Sequence, residues 1–243
     1  MSDIFVLSLR QLAGRWRLLL ILSLAALPVL NAAVSAAVSD SVTVAQVDSF
    51  LINGMLAGAI LPLIVLGVAT AAFANEVEDR TLSNLTLTPV PRWQIVMSKL
   101  IAAFAISAPA PAISGAIALT LLMGAAGLDG AVTSAAALVA GLLVGAAVYS
   151  SAFLWMGLLG TRALGFGLLY VFLWEGLFSS FVSGIRYLSI RQYMIGIIHG
   201  LDDRRFPDAQ DLLSFPVALG MAAGVFAAFT ALSVRRLRQM DVP

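Results

Sequence analysis

The chain has 243 residues, of which 60% are hydrophobic and 11% charged. A soluble domain of this length cannot hide that much apolar surface in one core, so lipid is part of its solvent. A net charge of +1, the absence of Cys and a single histidine, His199, argue against nucleic-acid binding, disulfides, thiolate catalysis and a multi-ligand metal site.

Residues 1–17 read as an amphipathic interfacial helix. Ile4, Phe5, Leu7, Leu12 and Trp16 share one side, and Arg10, Arg15 and Arg17 face headgroups. The apolar run that follows, Leu18 to Val38, is too long for the core of a signal peptide, and more spans follow it. It therefore reads as a retained first transmembrane helix. A crossing needs about 20 mostly apolar residues. Five more segments meet that length: Leu51 to Ala74, Leu100 to Ala125, Ser134 to Gly160, Leu164 to Ile185 and Leu212 to Val234. The expected fold is an all-α polytopic membrane protein of six spans, with 1–243 as a single domain.

Lys and Arg resist translocation and mark cytoplasmic loops. Arg10, Arg15 and Arg17 precede span one, Arg80, Arg92 and Lys99 lie between spans two and three, Arg162 joins four to five, and Arg235, Arg236 and Arg238 follow six. These place both termini in the cytoplasm. The last outer segment is an exception, because Arg186, Arg191, Arg204 and Arg205 fall there.

Within the spans, Asn31 and Asn53 read first as interhelical hydrogen-bonding groups and second as substrate contacts. Glu175 is the one ionisable residue well inside a span, roughly 16 Å from Leu164 at 1.5 Å per residue. Such a group is a functional candidate by default. It can line a polar path, bind a cation, hold a dimer contact or be a paired structural carboxylate. Gly54 with Gly58, Gly141 with Gly145 and Gly220 with Gly224 give faces for close packing, and Trp155, Trp174, Phe178 and Phe181 read as interface anchors.

Besides the N-terminal helix, two further segments do not span. Residues 75–99 form a cytoplasmic loop with its own helix signals: Asn75 as a cap with Glu78 three residues on, Glu76 and Asp79 at the dipole's positive end, and Pro89 and Pro91 as stops. Leu82 and Leu85 fall on one face, which suits docking into a soluble partner; the plainer alternative is an interfacial segment with solvated acids. Residues 186–211 repeat Tyr187, Ile190, Met194, Ile197, Ile198 and Leu201 at helical spacing, with Ser189, Arg191, Gln192 and His199 off that face. This segment is expected to lie in or re-enter the outer leaflet. It reads as a lid over a pathway or an ordinary outer loop, and Tyr187, Arg191, Tyr193 and His199 are the gate candidates.

Between Glu76 and Lys99 the order is acidic residues, Arg80-Thr81-Leu82, Leu85, Pro89-Val90-Pro91-Arg92, Ile95 and Lys99. It resembles the type-2 ABC exporter permeases, where an acid precedes a Thr-Leu pair, a leucine, a Pro-x-Arg or Pro-x-x-Arg and a Lys ahead of span three. Arg80 stands where many members carry Gly. The likeness runs through the basic leader, six spans, coupling loop and outer half-helices. It implies a half-transporter that dimerises with itself or a related permease in a bacterial-type plasma (inner) membrane. It also implies that Glu76, Glu78, Asp79, Arg80, Thr81, Leu82, Leu85, Pro89, Arg92 and Lys99 couple the chain to two ABC ATPase subunits. The chain carries no phosphate-binding Gly-x-x-x-x-Gly-Lys-Ser/Thr loop, so ATP and Mg are expected on that partner, with no cofactor here and no enzymatic activity. An ion-coupled secondary carrier is the alternative, since Pro28, Pro62, Pro109 and Pro111 can break helices. A lipid-modifying enzyme lacks a catalytic cluster.

Overall fold

The computed structural model describes residues 2–38, 43, 47–78, 90–160, 162–178, 187–202 and 213–240, and every element among them is helical. In chain order these are α1 (Ser2–Leu12), α2 (Arg15–Val38), a π-helix π1 (Val47–Ile60) running into α3 (Leu61–Ala69), α4 (Ala71–Glu78), α5 (Arg92–Ser107), α6 (Pro109–Ala125), α7 (Ala131–Gly157), α8 (Ala163–Leu169) running into a second π-helix π2 (Tyr170–Phe178), α9 (Ile190–Leu201) and α10 (Phe215–Gln239).

Five helices are long and apolar enough to cross a membrane: Arg15–Val38, Ser49–Ala74, Arg92–Ala125, Ala131–Gly157 and Phe215–Gln239. The expected fifth span, Leu164 to Ile185, appears as the shorter apolar helix Ala163–Gly176, and residues 179–186 lie outside the described residues. Helices start earlier or run later than the apolar runs because backbone hydrogen bonding continues into polar flanks. The span starting at Arg92 is jointed at Ala108: Pro109 lacks an N–H and cannot extend α5 in register, so α6 starts anew.

α7 is the hub. It packs against α3, α6, α9 and α10, and its own length is heavily buried. α2 rests on α6 through one stripe, Ile21, Ala25, Pro28 and Ala32, spaced for one helical face. The rest of α2 shows Leu19, Leu20, Leu22, Leu30 and Val34 outward. That outward apolar surface is what a lipid-facing helix carries. Pro28 sits within α2 without ending it.

The N-terminal segment differs from expectation. The helix ends at Leu12 and a new one starts at Arg15, so Trp16 and Arg17 belong to α2, not to an interfacial helix of residues 1–17. Leu7 and Trp16 are exposed while Ser8 and Leu12 are buried, with Phe5 and Leu9 packed against the core. The spacing Phe5, Ser8, Leu9, Leu12 is the true inner face, laid on α5 and α4. Leu7 points elsewhere because two residues from Phe5 is over half a turn.

Candidate functional site

α9 is too short to cross a bilayer, yet it is buried within the bundle, packed against α7, α10 and π1. Glycines make the room. A Cβ on Gly141 or Gly145 of α7 would meet Ile198 at 2.3 Å and Met194 at 2.7 Å, and one on Gly196 of α9 would meet the Leu213 carbonyl at 2.7 Å. Of the three glycine pairs read as packing faces, Gly141 with Gly145 lies against α9, as does Gly58 of the second pair, whose added Cβ would meet the Arg191 guanidinium at 3.6 Å. The third pair, Gly220 and Gly224, meets nothing within 4 Å.

This burial corrects the expectation of a one-sided outer segment. Tyr193, Met194, Ile195 and His199 are all buried, and it is Leu201, placed on the apolar face, that is half exposed. His199 is held inside the fold near the C-terminal end of α9, where the Ser134 hydroxyl donates to the Asp202 carboxylate.

The N-terminus of α9 meets the carboxylate of Glu175. Glu175 Oε1 accepts from the Ile190 backbone N–H at 2.9 Å and from the Tyr170 hydroxyl at 2.8 Å, and Oε2 accepts from the Ser189 hydroxyl at 2.5 Å. Ser189 is the N-cap, its oxygen accepting from the Gln192 N–H at 3.3 Å. An anion on the first free N–H groups of a helix is stabilised by unsatisfied donors and by the dipole. Glu175 is 1% exposed, a burial that a carboxylate sustains only when so bonded.

Arg191 completes the group. Its Nη2 donates to Asn53 Oδ1 at 3.1 Å and its Nη1 to the Glu175 carbonyl at 3.4 Å. π1, π2 and α9 are thereby joined, and π-helical stretches frequently sit at functional positions. The Tyr193 hydroxyl donates to the Tyr187 carbonyl at 2.5 Å, holding the turn that precedes α9. Of the residues singled out by sequence, Glu175, Asn53, Arg191, Tyr193 and Tyr187 converge here. Asn31 stands half-buried on α2 and takes no part in these bonds. Tyr170 and Ser189 were not singled out. Ser189 ahead of an apolar repeat is a cap signal; Tyr170 had none, because five residues do not share a face on an α-helix, whereas a π-helix brings i and i+5 together.

A second group lies at the other end of the second and third spans. Lys99 Nζ, on α5, donates to Glu76 Oε1 at 2.5 Å and to the Ala72 carbonyl at 2.6 Å, and sits 4.8 Å from the centroid of the Phe73 ring. Lys99 is 1% exposed and Glu76 8%. Asn75 is not the cap of a new helix: it lies inside α4, which runs through to Glu78. The apolar span simply continues helically, so the acids belong to its end. Arg92 is the first residue of α5. Asp79, Arg80, Thr81, Leu82, Leu85, Pro89 and the side chain of Glu78 lie outside the described residues.

Between α2, α3 and α8 lies an apolar groove of about 420 Å³, with Arg17 on its lining. Another, of about 230 Å³, is lined by Tyr170, Trp174, Tyr193 and Phe229 beside the Glu175 group. Among the described residues no cluster of three or more His, Cys, Asp or Glu is placed to hold a metal ion. A search of curated proteins finds no match. A protein-family model described as "ABC-2 family transporter protein" matches residues 15–198.

Proposed function

Since the chain belongs to the ABC-2 type transporter membrane family, a family of permease components, we propose that it is the membrane-spanning half of an ATP-driven exporter. It works as a dimer, with itself or a related permease, above two separate ATPase subunits that bind ATP and Mg. Both termini lie in the cytoplasm of a cell bounded by a bacterial-type plasma membrane, and the segment Ala163–Phe178, continued beyond Phe178, completes six spans.

The observation that carries this reading is the anchored short helix. α9 enters the bundle without crossing it and is tied by Glu175 and Asn53 to two separate spans. Its N-terminal end is fixed by a few directional bonds that can be made or released, the kind of element a gate requires. Glu175, Asn53, Tyr187, Arg191 and Tyr193 form the outer gate in this reading, with His199 and the Ser134 to Asp202 bond at its far end and Asn31 toward the path on span one. A secondary carrier is less well supported, because the Glu175 carboxylate is engaged by three donors, one of them the first N–H of α9, rather than facing an ion path.

At the opposite end, residues 75–99 form the coupling segment, with Leu82 and Leu85 toward the ATPase. The test is co-purification in detergent with the ATPase subunits. A complex of two permeases and two ATPases is expected, and Leu82→Asp with Leu85→Asp is expected to lower its ATPase turnover at least tenfold. No complex, or turnover indifferent to these changes, sinks the exporter reading.

A further inference from the structure

Lysine and glutamate are almost never fully buried unless paired, and the Lys99 to Glu76 pair is buried where a merely structural contact would need no charge. α4, 8 residues long, continues the second span through Thr70, and it ends where the cytoplasmic segment 79–91 begins. α5 begins where that segment ends. Lys99 therefore joins the two roots of the segment, reaching across to Glu76 Oε1 and the Ala72 carbonyl at once. α1 packs on the same two helices, so the N-terminal segment lies over the joined roots.

An apolar contact between two helices resists separation but lets them slide, whereas a two-pronged charge-assisted bond fixes register and direction. Away from water it is also stiffer, since the local dielectric is low. Glu76 Oε2 has no hydrogen-bond partner among the described residues, so the carboxylate is held through one oxygen alone. Among the described residues the pair is thus a single cross-link, not one member of a redundant network.

We propose that Glu76 and Lys99 are the positioning pair of the coupling segment: they tie its two roots so that a push from below moves spans two and three as one lever. This rests on the exporter reading. Neither residue touches the ATPase; both act through the segment they hold. Without the bond, the inner ends of spans two and three move separately, and the outer ends of the bundle no longer follow.

The chain has no Cys, which gives a clean background for spin labels. The permease–ATPase complex in lipid nanodiscs carries labels at Phe50→Cys and Val132→Cys, both exposed positions at the outer ends of their helices. Distances are read with and without ATP plus orthovanadate. The wild-type background is expected to shift. Lys99→Met, and the neutral double variant Glu76→Gln with Lys99→Met, are expected to cut that shift at least fivefold while ATPase subunits co-purify in wild-type amount. The charge-exchanged variant Glu76→Lys with Lys99→Glu is expected to regain at least half of it, which a merely structural pair gives no reason for.

Lys99→Met strands a buried carboxylate and can fail to fold, so the neutral double variant carries the test. If that variant keeps the full shift, or if charge exchange regains nothing over it, the positioning role is overturned. A wild-type chain that binds no ATPase overturns the exporter reading and the coupling role with it. A wild-type complex whose shift survives in the neutral double variant overturns the positioning role alone.

Discussion

Arg191 Nη2 lies 3.1 Å from Asn53 Oδ1, joining positions 138 residues apart. The same guanidinium reaches the Glu175 carbonyl, so one planar fork ties π1 to π2 from the first turn of α9. Lys cannot reproduce two bonds of fixed divergence. Arg191→Lys is expected to lower stability although charge is kept, and a double-mutant cycle of Arg191→Ala with Asn53→Ala to show a coupling of about 0.5–3 kcal/mol. Unfolding in mixed micelles measures it; additive single effects would mean that the two side chains do not act together.

Glu175 accepts three hydrogen bonds, from Tyr170, Ser189 and Ile190. Gln keeps one acceptor oxygen and offers an N–H₂ to the Ser189 oxygen. Leu strands all three donors. Glu175→Leu is expected to cost roughly 3–9 kcal/mol, since each of the three stranded groups costs about 1–3 kcal/mol, with Glu175→Gln well below it. Thermal unfolding with fluorescence readout gives the order, and equal losses would remove the acceptor role.

Gly157 ends α7 against the carbonyl of Thr70: a Cβ there would lie 2.6 Å from that oxygen, and backbone cannot step aside. Gly157→Ala is expected to destabilise by about 1–3 kcal/mol, as overpacking does. Gly224 meets nothing within 4 Å, so Gly224→Ala is expected to be neutral or to stabilise by up to about 1 kcal/mol through helix propensity. A clear loss at Gly224 in the purified assembly would show that a second copy covers that face of α10.

Removing one partner of a buried ion pair leaves the other uncompensated. Lys99→Met is expected to cost about 3–5 kcal/mol, and adding Glu76→Gln to recover much of it. If the double variant is as unstable as the single one added to Glu76→Gln alone, the two charges do not interact.

The proposed topology is read by single cysteines in this Cys-free chain. Thr43→Cys and Val132→Cys are expected to react with a membrane-impermeant maleimide in intact cells, and Trp93→Cys and Gln239→Cys only after permeabilisation. Labelling of Gln239→Cys in intact cells would remove the sixth crossing or reverse the orientation.

Hydropathy located five of the helices long and apolar enough to cross, four within about five residues and the third eight residues late at its start, because the polar first turns from Arg92 carry no apolar signal. The same reading missed the register of α1, since Leu7 and Trp16 are apolar without being inward. It also misread Asn75 as a helix start, because a capping pattern has no force inside a helix already running from the span before it. Polarity alone flagged Asn53, Glu175 and Arg191, each as an isolated oddity.

By itself the sequence determined that this is a helical membrane chain, where five helices long and apolar enough to cross lie, and which polar side chains need a partner, because the cost of burying each is local to its own segment. Only the tertiary structure decided that those partners are one another. Tyr170 meets Glu175 through a π-helical turn that 3.6-residue periodicity does not contain. Arg191 meets Asn53 because α9, lodged against Gly141, Gly145 and Gly58, brings its first turn to two distant helices. Contacts of that kind depend on how helices cross, and crossing is settled by packing between segments, which no single segment encodes.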